Sequence, residues 1–142
     1  MPLLPAHVGR SYGPGAPYTV TSEALGAFAH LLGFGNPQVA QGVVASPTFP
    51  ITQTFSGILA LVADPDIQLN LGHVVHSDQR FDYARPLMPG DVVCTTTVIE
   101  AVTPIAGSML ATLRTDVTND DGHVLCAARA VILVRTVEAD AT

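Results

Sequence analysis

His73-Val74-Val75-His76-Ser77-Asp78-Gln79-Arg80-Phe81-Asp82-Tyr83-Ala84-Arg85-Pro86-Leu87-Met88-Pro89-Gly90-Asp91 is the pivot of the chain. It reads as a strand that runs into a tight Pro/Gly turn and launches a second strand. After it, apolar residues recur with period two, the signature of half-buried strands. Val92, Cys94, Thr96 and Val98 alternate with Val93, Thr95, Thr97 and Ile99, and Met109, Ala111, Leu113, Thr115 and Val117 form one face of the next strand. Pro104 to Ser108 marks one hairpin and Asn119-Asp120-Asp121-Gly122 another. Val124, Cys126, Ala128, Ala130, Ile132 and Val134 line one face of the last strand.

Upstream the period changes to that of helices. Residues 1–17 hold four prolines and three glycines and predict an extended arm. Tyr18-Thr19-Val20-Thr21 is a short strand candidate. Ser22 caps a helix in which Leu25, Phe28, Ala29 and Leu32 share a face, and Gly33 stops it. Phe34 to Ser46 reads as irregular, with Asn36-Pro37 as a turn. Thr48 is the expected cap of a second helix, with Pro50 in its first turn and Ile51, Phe55, Ile58, Leu59, Leu61 and Val62 making it apolar on nearly all sides. Such a helix belongs in a core. Asp64-Pro65-Asp66 ends it.

The 142 residues predict one domain (1–142), with a frayed tail at 138–142. Hydrophobic content is 48% and charged content 13%, a composition that favours oligomerisation. The six cationic residues are all arginine, and the net charge is −6, which argues against a nucleic-acid partner. No apolar run reaches the ~20 residues that span a bilayer, and Met1 to Pro5 lacks the charged start of a secretory signal. A cytoplasmic protein is expected. Cys94 and Cys126 sit inside strand patterns as small buried hydrophobes, without metal-ligand spacing, and neither a metal nor a cofactor is expected.

A curved antiparallel sheet wrapped around one hydrophobic helix, an α+β hot-dog fold, satisfies this order; another α+β sandwich fits the periodicity almost as well. The sequence resembles the MaoC-like dehydratase family, and within it the N-terminal-type hot-dog domain of the non-catalytic subunit of (3R)-hydroxyacyl-thioester dehydratase. The resemblance is carried by Val8-Gly9-Arg10-Ser11-Tyr12, Gly35-Asn36-Pro37, Ala45-Ser46-Pro47-Thr48-Phe49, Val74 to Phe81, Arg85-Pro86 and Pro89-Gly90-Asp91, in order along nearly the whole chain.

The resemblance implies reversible addition of water to an enoyl thioester of coenzyme A or acyl carrier protein. Active members place a catalytic Asp and His around the Asn-Pro. A carboxylate and an imidazole on one loop hold a water and shuttle its proton, while a helix N-terminus polarises the carbonyl. In this chain those two positions fall on Phe34 and Val39, which carry no proton. The resemblance therefore implies a non-catalytic, acyl-channel-shaping subunit, in a heterodimer with a catalytic MaoC-like subunit or in a homodimer. The alternatives are a homodimeric lyase or cyclase using other residues, and an acyl-thioester binding module without chemistry. If this chain does chemistry alone, His76 and Asp78 are the catalytic candidates, because positions i and i+2 share a strand face. Ser46, Thr48, Phe49, Gln79 and Phe81 are the substrate-side candidates. Arg80 and Arg85 are candidates for a phosphate or for salt bridges such as Arg80 to Asp82.

Overall fold

The computed structural model describes residues 3–136. Its elements are β1 (Ser11–Tyr12), β2 (Tyr18–Thr19), α1 (Ser22–Leu31), α2 (Pro37–Ala40), α3 (Ile51–Ala63), β3 (Val74–Tyr83), β4 (Val92–Ile105), β5 (Ser108–Asn119) and β6 (Val124–Arg135). The strands make one six-stranded antiparallel sheet in the order β1-β4-β5-β6-β3, and β2 also pairs with β4. The two hairpins fall where the turn residues put them, and α3 packs across β4 and β5. This is the α+β hot-dog architecture. The tail expected at 138–142 lies outside the described residues.

Burial follows the period-two pattern on β5, where Ala111, Leu113, Thr115 and Val117 face inward. On β4 a bulge between Ile99 and Ala101 moves the buried face from Ile99 to Val102. On β6 the register shifts near Val117/Thr118, so Leu125 is buried and the expected Val124 is exposed. The core has two apolar clusters. One joins Leu3, Ile58, Leu61, Ile67 and Ile99 to Leu113, Ile132 and Val134. The other gathers Val20, Leu25, Phe49, Leu87, Val93, Val117, Leu125 and Cys126.

Several local readings need correction. Thr21, not Ser22, caps α1: its Oγ1 accepts the Ala24 N–H at 3.1 Å, while the Ser22 hydroxyl donates to the Gly42 carbonyl at 2.9 Å. The Asn36-Pro37 turn starts a one-turn helix, α2, whose first N–H groups are taken by the Asn36 side chain. Thr48 caps nothing with its side chain; the cap position of α3 is Pro50, without a side-chain cap. And α3 is not buried all round, because Phe55 and Leu59 are 42% and 48% exposed. Apolar character on every side of a helix therefore marks here a helix with one face left uncovered in the single chain.

Two ion-pair arrangements tie the ends of the fold. In the arm, Tyr12 donates to Asp64 Oδ2 at 2.7 Å and Arg10 reaches the same oxygen at 2.9 Å, which fixes the arm to the end of α3. The Tyr12 hydrogen bond, a backbone N–H and Arg10 hold the Asp64 carboxyl down at about 2, and burial with the Asp64 bond pushes Tyr12 up to about 12. On the sheet, Arg80, Arg129 and Arg114 are cross-strand neighbours. They are neutralised by Asp82, Glu100 and Asp116.

Gly57 lets α3 come down on the sheet. A Cβ there would sit 2.2 Å from Thr97 Oγ1 and 2.9 Å from its Cβ. Gly57→Ala is expected to lower stability by about 1–3 kcal/mol, the usual cost of overpacking, read as a drop in the urea midpoint at unchanged slope.

Candidate functional site at the head of the central helix

The site is assembled from three backbone segments. The first is the loop into α2. Asn36 Oδ1 accepts from the Gln38 and Val39 N–H groups at 3.0 and 3.4 Å, so the Asn-Pro unit survives as a capping device. Phe34 is 36% exposed and Val39 only 6%. Between Phe34 and the end of α3 the sequence has no Asp, Glu or His, so no proton carrier lies on this loop or on the helix.

The second segment, 45–50, leads into α3 through a run of short turns. The Ser46 carbonyl accepts from Phe49 N–H at 3.1 Å, and the Thr48 carbonyl from Ile51 N–H at 3.1 Å. Ser46 is buried, and its hydroxyl has no partner. Phe49 points into the core and meets Phe28 edge-on at 5.5 Å, while Thr48 is exposed.

The third segment is the end of β3 and the connection to β4. Arg85 grips Asp91 with two bonds of 2.8 Å, and Asp91 also accepts the Met88 N–H at 2.8 Å. Leu87, between them, is fully buried and its carbonyl accepts from Ala45 N–H at 3.0 Å. The Tyr83 hydroxyl donates to the Pro47 carbonyl.

Together Ala45, Ser46, Pro47, Tyr83 and Pro86 line a mostly apolar pocket of about 210 Å³. Tyr83 faces Cys126 across the strand pair. Burial, with Cys126 nearby, raises the Tyr83 hydroxyl well above its ordinary value. Burial, with Asp82 nearby, pushes the Cys126 thiol up to about 11. Both groups are therefore neutral at pH 7. Sequence reasoning missed Tyr83 and Pro86, because their role comes from a contact that spans 36 residues.

The structure does not bring His76 and Asp78 to one face as expected. A bulge between them pairs His76 with Ile132 and Asp78 with Val131, neighbours on β6 that point opposite ways. His76 instead meets Gln79, Nε2 to Oε1, at 3.0 Å. Gln79 lines the seam under α3, and Phe81 packs against the second core cluster and Tyr83. Arg80 makes the expected salt bridge to Asp82, while Arg85 pairs with Asp91, a partner that the sequence reading did not name. Among the described residues no group of three or more His, Cys, Asp or Glu can hold a metal ion, and no helix is long and apolar enough to cross a membrane.

A single antiparallel sheet around one helix, with an Asn-Pro loop before it, is a hot-dog domain. The chain matches the FAS1-like dehydratase domain region over residues 6–128 and belongs to that family. It is 35% identical to a UPF0336 protein of Streptomyces coelicolor, over 97% of this chain and 99% of the relative. Its fold is similar to that of the HadBC (3R-hydroxyacyl-ACP dehydratase) complex from Mycobacterium tuberculosis, with a TM-score of 0.74 at 23% identity, covering 89% of this chain and 96% of that one. It is also similar to a MaoC-like dehydratase, with a TM-score of 0.75 at 21% identity, where 93% of this chain covers 43% of that one.

The Arg85–Asp91 clamp gives a pH signature. Arg85, foremost, holds the Asp91 carboxyl below its ordinary value. A depressed carboxylate stabilises the fold above the unfolded pKa of about 3.9 and loses that contribution as pH falls through the folded value. Asp91→Asn is expected to cost about 1 kcal/mol at pH 7, a charge-assisted bond discounted for the exposed Arg85. In urea titrations at falling pH the gap between variant and parent should close below about pH 3.9.

Proposed function

We propose that this chain is the non-catalytic half of a two-subunit (3R)-hydroxyacyl-thioester dehydratase, shaping the acyl channel for an acyl-CoA or acyl-carrier-protein thioester. The observation that carries the proposal is the state of the Asn-Pro loop. Asn36 keeps its capping bonds, while Phe34 and Val39 stand where the resembling enzymes carry Asp and His, and Val39 is packed away. Hydration of an enoyl thioester needs a group to take the proton of water and a group to return one. Neither is on this loop, so a partner must supply both.

Two further observations support the reading. Phe55 and Leu59 leave an apolar face of α3 that the single chain does not cover. And 93% of this chain matches only 43% of a longer MaoC-like dehydratase chain, as one unit of a double one would. In this reading Ser46 and the Pro47–Tyr83–Pro86 wall receive the thioester end. Phe49 and Phe81 stiffen that wall from the core, Thr48 lies at its rim, and Gln79 closes the helix–sheet seam. The chain's work is to orient the acyl group and exclude water.

The second reading is a self-sufficient lyase working through His76 and Asp78. It draws on the exposed His76 ring, which Gln79 holds at 3.0 Å; the bulge counts against the pair acting together.

The test is hydration of a crotonyl thioester, followed by loss of enoyl absorbance. The isolated chain is compared with the chain co-purified with a subunit that carries Asp-x-Asn-Pro-x-His. The isolated chain should run at least about 10⁴-fold slower than the pair, the upper range of what general acid–base groups contribute. Full turnover by the isolated chain would falsify the proposal, and its loss in His76→Ala would then establish the lyase.

A further inference from the structure

Between the two apolar clusters lies a polar seam. Thr97 stands between Val93 and Ile99 on β4, and Thr115 between Leu113 and Val117 on β5. Their hydroxyls bond to each other at 2.7 Å in a buried position. Above them, on α3, Thr54 is also buried, and its hydroxyl has no protein partner. A threonine inside a helix ordinarily bonds back to the carbonyl four residues earlier. Here that carbonyl, Pro50, already accepts the N–H groups of Gln53 and Thr54, both at 2.9 Å, and its two lone pairs are taken.

A partly open pocket with about 10 Å³ of room lies beside Thr54, lined by that residue, Thr97, Thr115 and Gln79 together with Phe55 and aliphatic side chains. That is close to the ~10–15 Å³ of probe-occupied volume that one water needs. The polar partners are also right in number. The Thr97–Thr115 pair spends one donor and one acceptor between its two hydroxyls, leaving one donor and three acceptor sites. Thr54 adds a full hydroxyl, so the pocket offers a water two or more bonds.

We infer that a single water molecule is built into this seam, joining the Thr54 hydroxyl of α3 to the Thr97–Thr115 pair of the sheet. The lining holds no ionisable side chain, so the site takes a neutral, one-oxygen ligand and not an ion. For the same reason this water is no nucleophile: no base lies within the lining to activate it. Its work is to satisfy the Thr54 hydroxyl and to pin α3 where the two clusters meet. The inference is independent of the dehydratase reading.

The test turns on the sign of a stability change. Thr54→Val keeps the shape and removes the hydroxyl. If the hydroxyl is unsatisfied, its removal relieves a desolvation penalty and Tm rises or holds. If it binds the water, the variant breaks that arrangement, and Tm should fall by roughly 3–5 °C for a chain of this size. High-resolution crystal structures of the parent and of Thr54→Ser should both show an ordered water ~2.7–3.2 Å from the residue-54 hydroxyl. An empty pocket in the parent, or a Tm for Thr54→Val at or above the parent's, overturns the inference.

Discussion

The structure depends on the close approach of α3 to the sheet at Gly57. A side chain there would collide with Thr97, so the helix can lie this low only because residue 57 has none. Interiors pack at crystal-like density, and a helix held a few tenths of an ångström higher would open voids along its length. With the helix seated, Ile58 and Leu61 join Ile99 and Leu113 on one side, and Phe49, at its head, joins Val93 and Val117 on the other. The same seating fixes what stays outside. Leu59 stays exposed and Phe55 lies at the margin of the helix–sheet seam, because Thr54, Gly57, Ile58 and Leu61 take the buried face.

The candidate site inherits its rigidity from that placement. The pocket is walled by the segment that enters α3 and by the connection from β3 to β4. That connection must cross the sheet, because β6 and β5 lie between β3 and β4. A crossing loop would be mobile if only its ends were held. This one is held in the middle: Leu87 is buried in the core, its carbonyl bonds Ala45, and the Arg85–Asp91 pair closes the loop on itself. Tyr83 then bridges the two walls through the Pro47 carbonyl. The pocket is thus framed by backbone positions that the core determines, which is how a binding wall keeps its shape without ligand.

What could be read from the sequence divides along the same physical lines. Period-two burial on β5, the two hairpins and the apolar helix were legible because each depends on residues close in sequence. The bulge at Ser77 was not. It shifts His76 and Asp78 onto opposite-facing partners, and only the pairing with β6 reveals it. Strand periodicity assumes an unbroken ladder, and one extra residue inverts every conclusion beyond it. The Thr48 cap failed for a related reason: Pro50 shapes the first turn by its fixed φ, and no side-chain cap forms. Tyr83 left no trace in the sequence, since its partner is a carbonyl that any residue could have offered.

In the Asn-Pro loop the backbone is held by one side chain and not by its neighbours. Asn36 works locally: it satisfies the free N–H groups of α2, and losing it would cost the helix directly. The positions on either side carry no such burden. An ionisable side chain at the buried position 39 would have to be desolvated, which costs stability. Val39 avoids that cost and adds a packed side chain. The loop's shape therefore rests on the Asn36 bonds and on the packing of Val39, and neither depends on a proton carrier at position 34 or 39.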